Sequence, residues 1–189
     1  ADIAHTLKEA EHFGFTIDNI SFDINKLVKH SRSVASKLSG GVAYLMQKNN
    51  IKVIDGSATV ADKCRLDVTH KGVVTQYRTN HIILATGARA RNLPNIEIDG
   101  DLVWGAREAM TPTALPGSLL VIGGGAIGVE FASLYNDLGT DVTLVEAAER
   151  ITPAEDAEIS SLAERSFKQR GIKVLTNSVV NFLEGAGEQ

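Results

Sequence analysis

The chain has 189 residues, of which 43% are hydrophobic, and carries a net charge of −4. This length accommodates one domain or two small ones, with enough apolar residues for a packed core. The slight acidity and the lack of a basic cluster argue against nucleic acid as a partner.

Two features concern the cellular setting. The single cysteine, Cys64, rules out an internal disulfide and fits a reducing compartment. The longest apolar region, residues 119–135, is interrupted by glycines and carries Glu130. We therefore expect no signal peptide, no membrane span and a cytoplasmic location.

The first part of the chain predicts helices. Residues 1–11 have a helical pattern, and the chain begins inside it without a capping residue. Apolar residues recur at three- and four-residue intervals over residues 23–49, which predicts a long amphipathic helix with Asp23 as its N-cap. Gly40–Gly41 inside this helix indicates either close packing against another element or a tolerated weakness.

The next part predicts strands, over residues 51–58, 65–69, 73–77 and 81–85. Their period-two alternation and the turn signal at Lys71–Gly72 are typical of an antiparallel meander. The apolar run His81–Ala85 predicts a last strand that is buried on both faces. It ends at Thr86–Gly87–Ala88, which in isolation is an ordinary turn or a place where a ligand approaches the backbone.

A proline-rich connector, residues 92–117, precedes a β-α-β-α-β pattern. The predicted elements are strand 119–122, helix 127–138, strand 142–146, helix 156–170 and strand 172–175. Gly139 and Gly171 follow the two helices, as C-terminal glycines do. The alternation predicts a Rossmann-like α/β fold with a parallel sheet and right-handed crossovers.

The two ends of the chain predict a fragment. Val179–Val180 begins a further strand, so the parallel sheet would stop with an unfinished edge. We expect two partial domains, residues 1–112 and residues 113–189, truncated at both ends.

The glycines Gly123, Gly125 and Gly128 match G-x-G-x-x-G between a predicted strand and a predicted helix. The first permits a tight turn, the second lets a pyrophosphate approach the backbone, and the third lets helix and strand pack closely. Glu146 ends the following strand, near the spacing of about 20 residues at which a carboxylate binds the adenosine ribose. It would repel a 2′-phosphate, so the pattern predicts NAD rather than NADP.

Other polar residues predict no chemistry. The five histidines and Cys64 lack metal-ligand spacing, and no nucleophile–base pair is evident. Glu130, on the first turn of the predicted cofactor helix, is at this point a favourable partner for the helix dipole.

Taken together, residues 83–88 (ILATGA), 120–133 (LVIGGGAIGVEFAS) and 138–146 (LGTDVTLVE) resemble the pyridine nucleotide-disulfide oxidoreductases. Within that family the resemblance is to the branch that oxidises dihydrolipoamide, in forms of the alphaproteobacterial type. It spans nearly the whole chain. It implies a partial FAD-binding domain, built of helices and the antiparallel meander, followed by a partial NAD-binding domain.

The resemblance also implies site residues. For NAD it implies a pyrophosphate loop made of Gly123, Gly124, Gly125, Ala126, Ile127, Gly128, Val129 and Glu130, with Glu146 on the ribose and Val180 beside the adenine. For FAD it implies contacts from Ala58, Thr86, Gly87 and Ala88. Glu130 matches a glutamate that the family pairs with a lysine near the flavin and nicotinamide, which favours a functional role.

The chain departs from the family pattern in its chemistry. It lacks the family's FAD-binding G-x-G-x-x-G, its redox cysteine pair and its His-Glu base. We therefore expect no catalytic residues here and no turnover of dihydrolipoamide by this chain alone. The parent enzyme is expected to be a homodimer that serves 2-oxo acid dehydrogenase complexes and acts on their lipoyl domain.

Two alternatives remain at this point. The first is another flavoprotein disulfide reductase, of the mercuric or glutathione reductase type, although Glu146 disfavours members that use NADPH. The second is a non-catalytic NAD-binding module.

Overall fold

The computed structural model describes residues 2–17, 19, 21–90 and 92–184. It divides into two compact units, one of residues 31–89 and the other of residues 1–30 with 90–189. The domain boundary expected between residues 112 and 113 refers to the family's domains and stays a prediction. Across the described ranges, no helix has the length and apolarity needed to cross a membrane.

The first helices follow the predicted pattern. They are α1 (Asp2–Lys8), a short 3₁₀ helix (Ala10–Phe13) and α2 (Ile24–Lys48). The Asp23 carboxylate accepts hydrogen bonds from the N–H groups of Asn25 (2.9 Å) and Lys26 (3.2 Å), which confirms it as the N-cap of α2. No described atom outside the helix lies within 4 Å of the position that a Cβ on Gly40 or Gly41 would take, so no close packing within the described residues requires a glycine there.

The predicted meander is confirmed. The strands β1 (Ser57–Asp62), β2 (Arg65–His70) and β3 (Val73–Arg78) form an antiparallel sheet in that order. His70 pairs with Val73 across a two-residue turn in which Lys71 (φ 48°) and Gly72 (φ 81°) are both left-handed. This backbone matches the natural twist of a hairpin and explains the glycine.

Three predicted strands are wrong. Residues 51–54, 81–85 and 179–180 have no regular structure. Ile83 and Leu84 are 90% and 72% exposed, and Val179 is 70% exposed. An apolar strand of this kind becomes ordered by pairing with neighbouring strands, and within the described part of the chain none pairs with these segments.

The predicted Rossmann-like unit is confirmed. It consists of β4 (Ser118–Ile122), α4 (Ala126–Leu138), β5 (Asp141–Val145), α5 (Ala157–Gln169) and β6 (Lys173–Leu175), preceded by the short helix α3 (Ala106–Ala109). The three strands form a parallel sheet in the order β4-β5-β6. Gly139 caps α4 at φ 103°, and Gly171 follows α5 at φ 85°.

The core of this unit lies between the sheet and its helices. It contains Ala132, Tyr135, Val142, Leu144, Ile151, Phe167 and Ile172. Each large apolar side chain buried here contributes about 1.5–3 kcal/mol. The Tyr135 hydroxyl donates a hydrogen bond to the Ala109 carbonyl (2.8 Å), and burial raises the pKa of Tyr135.

A partly buried ion pair joins α4 to the end of α5. The Arg170 guanidinium lies 2.7 Å from the Asp137 carboxylate, whose side chain is only 8% exposed. The same guanidinium donates to the hydroxyl and the carbonyl of Ser133. Arg170 therefore satisfies a nearly buried charge while connecting the two helices.

Replacing Arg170 with Met should destabilise this unit by about 3 kcal/mol, because it leaves the Asp137 carboxylate buried without a partner. Urea unfolding followed by Trp104 fluorescence measures this, since Trp104 is the one tryptophan and packs against this core. Lys168→Met removes an exposed pair with Glu164 from the same helix and should cost less than about 1 kcal/mol. Equal losses in the two variants would contradict this account.

Candidate functional site

The glycine loop, residues 123–125, connects the end of β4 to the start of α4. Gly123 has φ 105°, a conformation that side chains rarely allow, and its N–H donates to the Val145 carbonyl at 2.8 Å. The tight turn expected at the first glycine is therefore present. It leads the chain from the sheet directly into the helix.

Gly128 determines how closely α4 approaches this loop. A methyl group on its Cα would overlap the carbonyl oxygen of Gly123 and would lie 3.4 Å from a Val121 methyl. Only a hydrogen atom fits there. The close packing expected at the third glycine is therefore present.

Gly125 faces open space instead. It precedes α4 as its N-cap in extended conformation (φ −74°, ψ −179°), and no described atom lies within 4 Å of the position that its Cβ would take. Its N–H makes no hydrogen bond to any residue that the structure describes. An amide free at the N-terminus of a long helix suits an anionic ligand, because the helix adds a partial positive charge there.

The Glu146 carboxylate lies against the glycine loop. One of its oxygens accepts a hydrogen bond from the Gly124 N–H at 2.6 Å, and the other accepts one from the Ala148 N–H at 2.7 Å. Each carboxylate oxygen has a second lone pair that remains available to a hydroxyl. The structure thus brings together the predicted loop and the predicted ribose carboxylate.

The other residues predicted at the NAD loop begin α4. Ala126 and Ile127 are exposed, the latter by 60%, and Val129 packs against the core from its half-buried position. Glu130 is exposed, and its side chain forms no hydrogen bond or ion pair with a described residue, so its pairing with a lysine stays a prediction. Val180 is half-buried in an irregular segment, and the structure does not join it to the loop.

The residues predicted at FAD do not form a site among the described residues. Ala58 lies in β1, and Thr86, Gly87 and Ala88 follow the segment that forms no strand; all four are exposed. Gly87 has φ 77° with no atom near its Cβ position. No hydrogen bond within the described part of the chain joins Ala58 to this turn. Their role at FAD remains a prediction.

A cavity of about 860 Å³ adjoins the glycine loop. Its walls are β4, Gly123 and Gly125, the first turns of α4, and residues of the segment 90–106, and its aromatic side chains are Trp104 and Phe131. This volume is within the range of small-molecule sites. The sequence indicated only a connector here, although its apolar residues between prolines were a signal that it packs against something.

Side-chain hydrogen bonds of Asp99 and Trp104 order the segment 99–104 beside this cavity. The Asp99 carboxylate accepts N–H groups of the next turn, Val103 foremost, and these hydrogen bonds lower the pKa of Asp99. The Trp104 indole N–H donates to the Asp101 carbonyl at 2.7 Å. Trp104 is thereby held at the cavity wall.

Sequence comparison places these features in a family. The profile of the pyridine nucleotide-disulphide oxidoreductases matches residues 3–189. A relative from Zymomonas mobilis, named dihydrolipoyl dehydrogenase, is 44% identical over 184 residues, which is 97% of this chain and 40% of the relative. One of the same name from Rhizobium etli is 42% identical over 204 residues, 97% of this chain and 42% of the relative. The chain thus spans about two-fifths of the length of these relatives.

Solved structures have the same fold. LpdA from Mycobacterium tuberculosis matches with a TM-score of 0.88 at 27% identity, over 98% of this chain and 42% of its own. The HOCl-induced flavoprotein disulfide reductase RclA from Escherichia coli matches with a TM-score of 0.74 at 29% identity, over 85% of this chain and 37% of its own.

Fold and loop together define an α/β protein with a Rossmann-like nucleotide-binding unit. The chain belongs to the pyridine nucleotide-disulphide oxidoreductase family, in which the dihydrolipoyl dehydrogenases use FAD and NAD. The resemblance seen in the sequence and the predicted fold class are therefore confirmed.

An added methyl group should affect stability far more at Gly128 than at Gly125. Gly128→Ala forces the methyl into the Gly123 carbonyl and should destabilise the unit by about 3 kcal/mol. Gly125→Ala meets no neighbour and should change stability by less than about 1 kcal/mol. Urea unfolding followed by Trp104 fluorescence compares them, and a Gly128→Ala protein as stable as Gly125→Ala would contradict the packing described here.

Proposed function

We propose that this chain is part of a dihydrolipoamide dehydrogenase and binds NAD at the glycine loop. The observation that carries the proposal is the free Gly125 N–H at the start of α4, with the Glu146 carboxylate beside it on the same loop. The names of the relatives from Zymomonas mobilis and Rhizobium etli support the particular enzyme.

In this proposal each part of the site binds one part of NAD. The Gly125 N–H and the N-terminus of α4 bind the pyrophosphate. Glu146 accepts hydrogen bonds from the adenosine ribose hydroxyls and rejects a 2′-phosphate by charge repulsion. Val180 would lie beside the adenine, and Glu130 near the nicotinamide. When bound, NAD supplies the acceptor of a hydride.

The FAD part of the proposal concerns the unit of residues 31–89, which contains the antiparallel meander and is called the meander unit below. Ala58 and the turn Thr86–Gly87–Ala88 would contact FAD in the parent protein. Their exposure leaves their backbones accessible to a ligand. The flavin reaction would require the whole enzyme, of which this chain would form part of the FAD-binding domain and part of the NAD-binding domain.

The parent reaction passes electrons from dihydrolipoamide to a disulfide, then to FAD, then to NAD. With its one cysteine this chain cannot form that disulfide, and we propose that alone it does not turn over dihydrolipoamide. We further propose a cytoplasmic homodimer that acts on lipoyl domains of 2-oxo acid dehydrogenase complexes.

A second candidate is another flavoprotein disulfide reductase. The structural match to RclA, a flavoprotein disulfide reductase, supports this candidate. Some flavoprotein disulfide reductases use NADPH, whereas a dihydrolipoamide dehydrogenase uses NAD. The preference between NADH and NADPH therefore discriminates between them.

Wild-type protein should bind NADH at least about tenfold more tightly than NADPH, because Glu146 meets the 2′ position. In Glu146→Arg this preference should disappear or reverse, since a guanidinium attracts the 2′-phosphate. Isothermal titration with both nucleotides gives the ratio. The ratio matters more than either affinity, because the substitution also removes the hydrogen bond to Gly124.

Glu149→Arg is the matched control. It makes the same charge change three positions away on an exposed side chain whose partner is Arg150 rather than the loop. Its ratio should equal that of the wild type. An unchanged ratio in Glu146→Arg would overturn the assignment of Glu146.

A further inference from the structure

Thr152, in the loop between β5 and α5, has an unusual backbone. Its φ is 46°, in the left-handed region, where a β-branched residue is a genuine outlier. Such strain persists only where surrounding contacts enforce it, and it is concentrated at functional sites. The contacts of Thr152 therefore indicate what the strain serves.

Ser160, on the first turn of α5, bonds to Thr152 through its side-chain hydroxyl. Its side chain is fully buried, and its hydroxyl lies 3.2 Å from the Thr152 carbonyl oxygen and 3.1 Å from the Thr152 hydroxyl oxygen. Ile151, the residue before Thr152, is also fully buried and lies 3.0 Å from the position that a Cβ on Gly124 would take. A buried hydroxyl with both contacts on one residue is a specific support for that residue.

Thr152 in turn holds the glycine loop. Its N–H donates to the Gly124 carbonyl oxygen at 2.7 Å. In a planar trans peptide the carbonyl of one residue and the N–H of the next point in opposite directions. Fixing the Gly124 carbonyl towards Thr152 therefore points the Gly125 N–H away from Thr152, and no described residue accepts it.

The preceding peptide is fixed as well. Glu146 accepts the Gly124 N–H at 2.6 Å, so the N–H and the carbonyl of Gly124 are both held by residues outside the loop. The two supports differ in kind. Glu146 is also expected to touch the ribose, whereas Thr152 and Ser160 act only through Gly124.

We propose that Thr152 and Ser160 are positioning residues that orient the Gly125 amide towards the pyrophosphate of a dinucleotide. Ser160 holds Thr152 in its left-handed conformation, and Thr152 holds the Gly124–Gly125 peptide. Neither residue contacts the ligand. The inference rests on the proposed binding of NAD for its function, but its structural half can be measured without nucleotide.

Three variants test it. Ser160→Ala removes the supporting hydroxyl, and Thr152→Val keeps the shape of Thr152 without its hydroxyl. Ser161→Ala is the matched control, because Ser161 is the next residue of α5 and its hydroxyl donates to the Ala157 carbonyl of the same helix. Because the first two variants remove one shared interaction, their effects should be non-additive in the double variant.

The first measurement uses protein without nucleotide. Without the Ser160 hydroxyl, Thr152 is no longer held in its left-handed conformation, and its N–H should separate from the Gly124 carbonyl more often. Hydrogen exchange of the Thr152 amide should therefore become at least about tenfold faster in Ser160→Ala. The amide resonances of Thr152 and Gly125 should shift. Both should be unchanged in Ser161→Ala. Exchange and resonances unaltered in Ser160→Ala would overturn the proposal.

The second measurement compares ligands with and without a pyrophosphate. Ser160→Ala should weaken NAD and ADP about tenfold and leave adenosine within about twofold, because only the aimed amide is lost. Equal weakening of all three would show a general loss of structure and overturn the positioning role. If wild-type protein binds none of them, the proposed function fails, and the exchange result alone decides whether these residues position the loop.

Discussion

The absence of a side chain at Gly128 is the constraint on which the site depends. Because its Cα lies against the Gly123 carbonyl, α4 begins immediately above the end of β4. That approach leaves the Gly125 N–H at the helix N-terminus and places the loop within hydrogen-bonding reach of Glu146 at the end of β5. The shape of the loop, the position of its amide at the helix N-terminus and its hydrogen bond to Glu146 thus all depend on the contact between Gly128 and Gly123.

The unit around this loop is internally supported, whereas the meander unit is not. Tyr135, Leu144 and Ile172 are essentially buried in the core between the parallel sheet and its helices. By contrast, α2 buries none of its residues, and all of β1 is exposed. Nucleotide binding at the loop should therefore draw on a firm scaffold. Of the residues expected to contact FAD, Ala58 lies on a sheet with little core of its own, and Thr86–Gly87–Ala88 lie in an irregular segment.

The sequence predicts the Rossmann-like unit to within one or two residues per element, because glycines mark its boundaries. Gly139 and Gly171 end the helices, and the three motif glycines mark the strand-to-helix turn. The strand expected at His81–Ala85 fails for a different reason. Local preference for a strand is present, but the pairing that would order it is a tertiary property.

Parts of the site could not be read from the sequence. Thr152 and Ser160 belong to no motif. Thr152 bonds to Gly124, and Ser160 to Thr152, only once the loop between β5 and α5 lies against the glycine loop. The contribution of residues 90–106 to the cavity wall was hidden in the same way, because the proline pattern indicates a connector but not what it packs against. Patterns predict elements and motifs, whereas supporting contacts depend on three-dimensional proximity.

The most direct test of the account is a titration of the isotope-labelled protein with NADH, followed through its amide resonances. If the glycine loop binds the pyrophosphate, the Gly125 amide should show the largest shift, together with the Gly124 and Ala148 amides that Glu146 holds. Resonances of β1 to β3 should stay in place. Saturable binding that leaves the Gly125 amide unshifted, or no binding at all, would contradict the account.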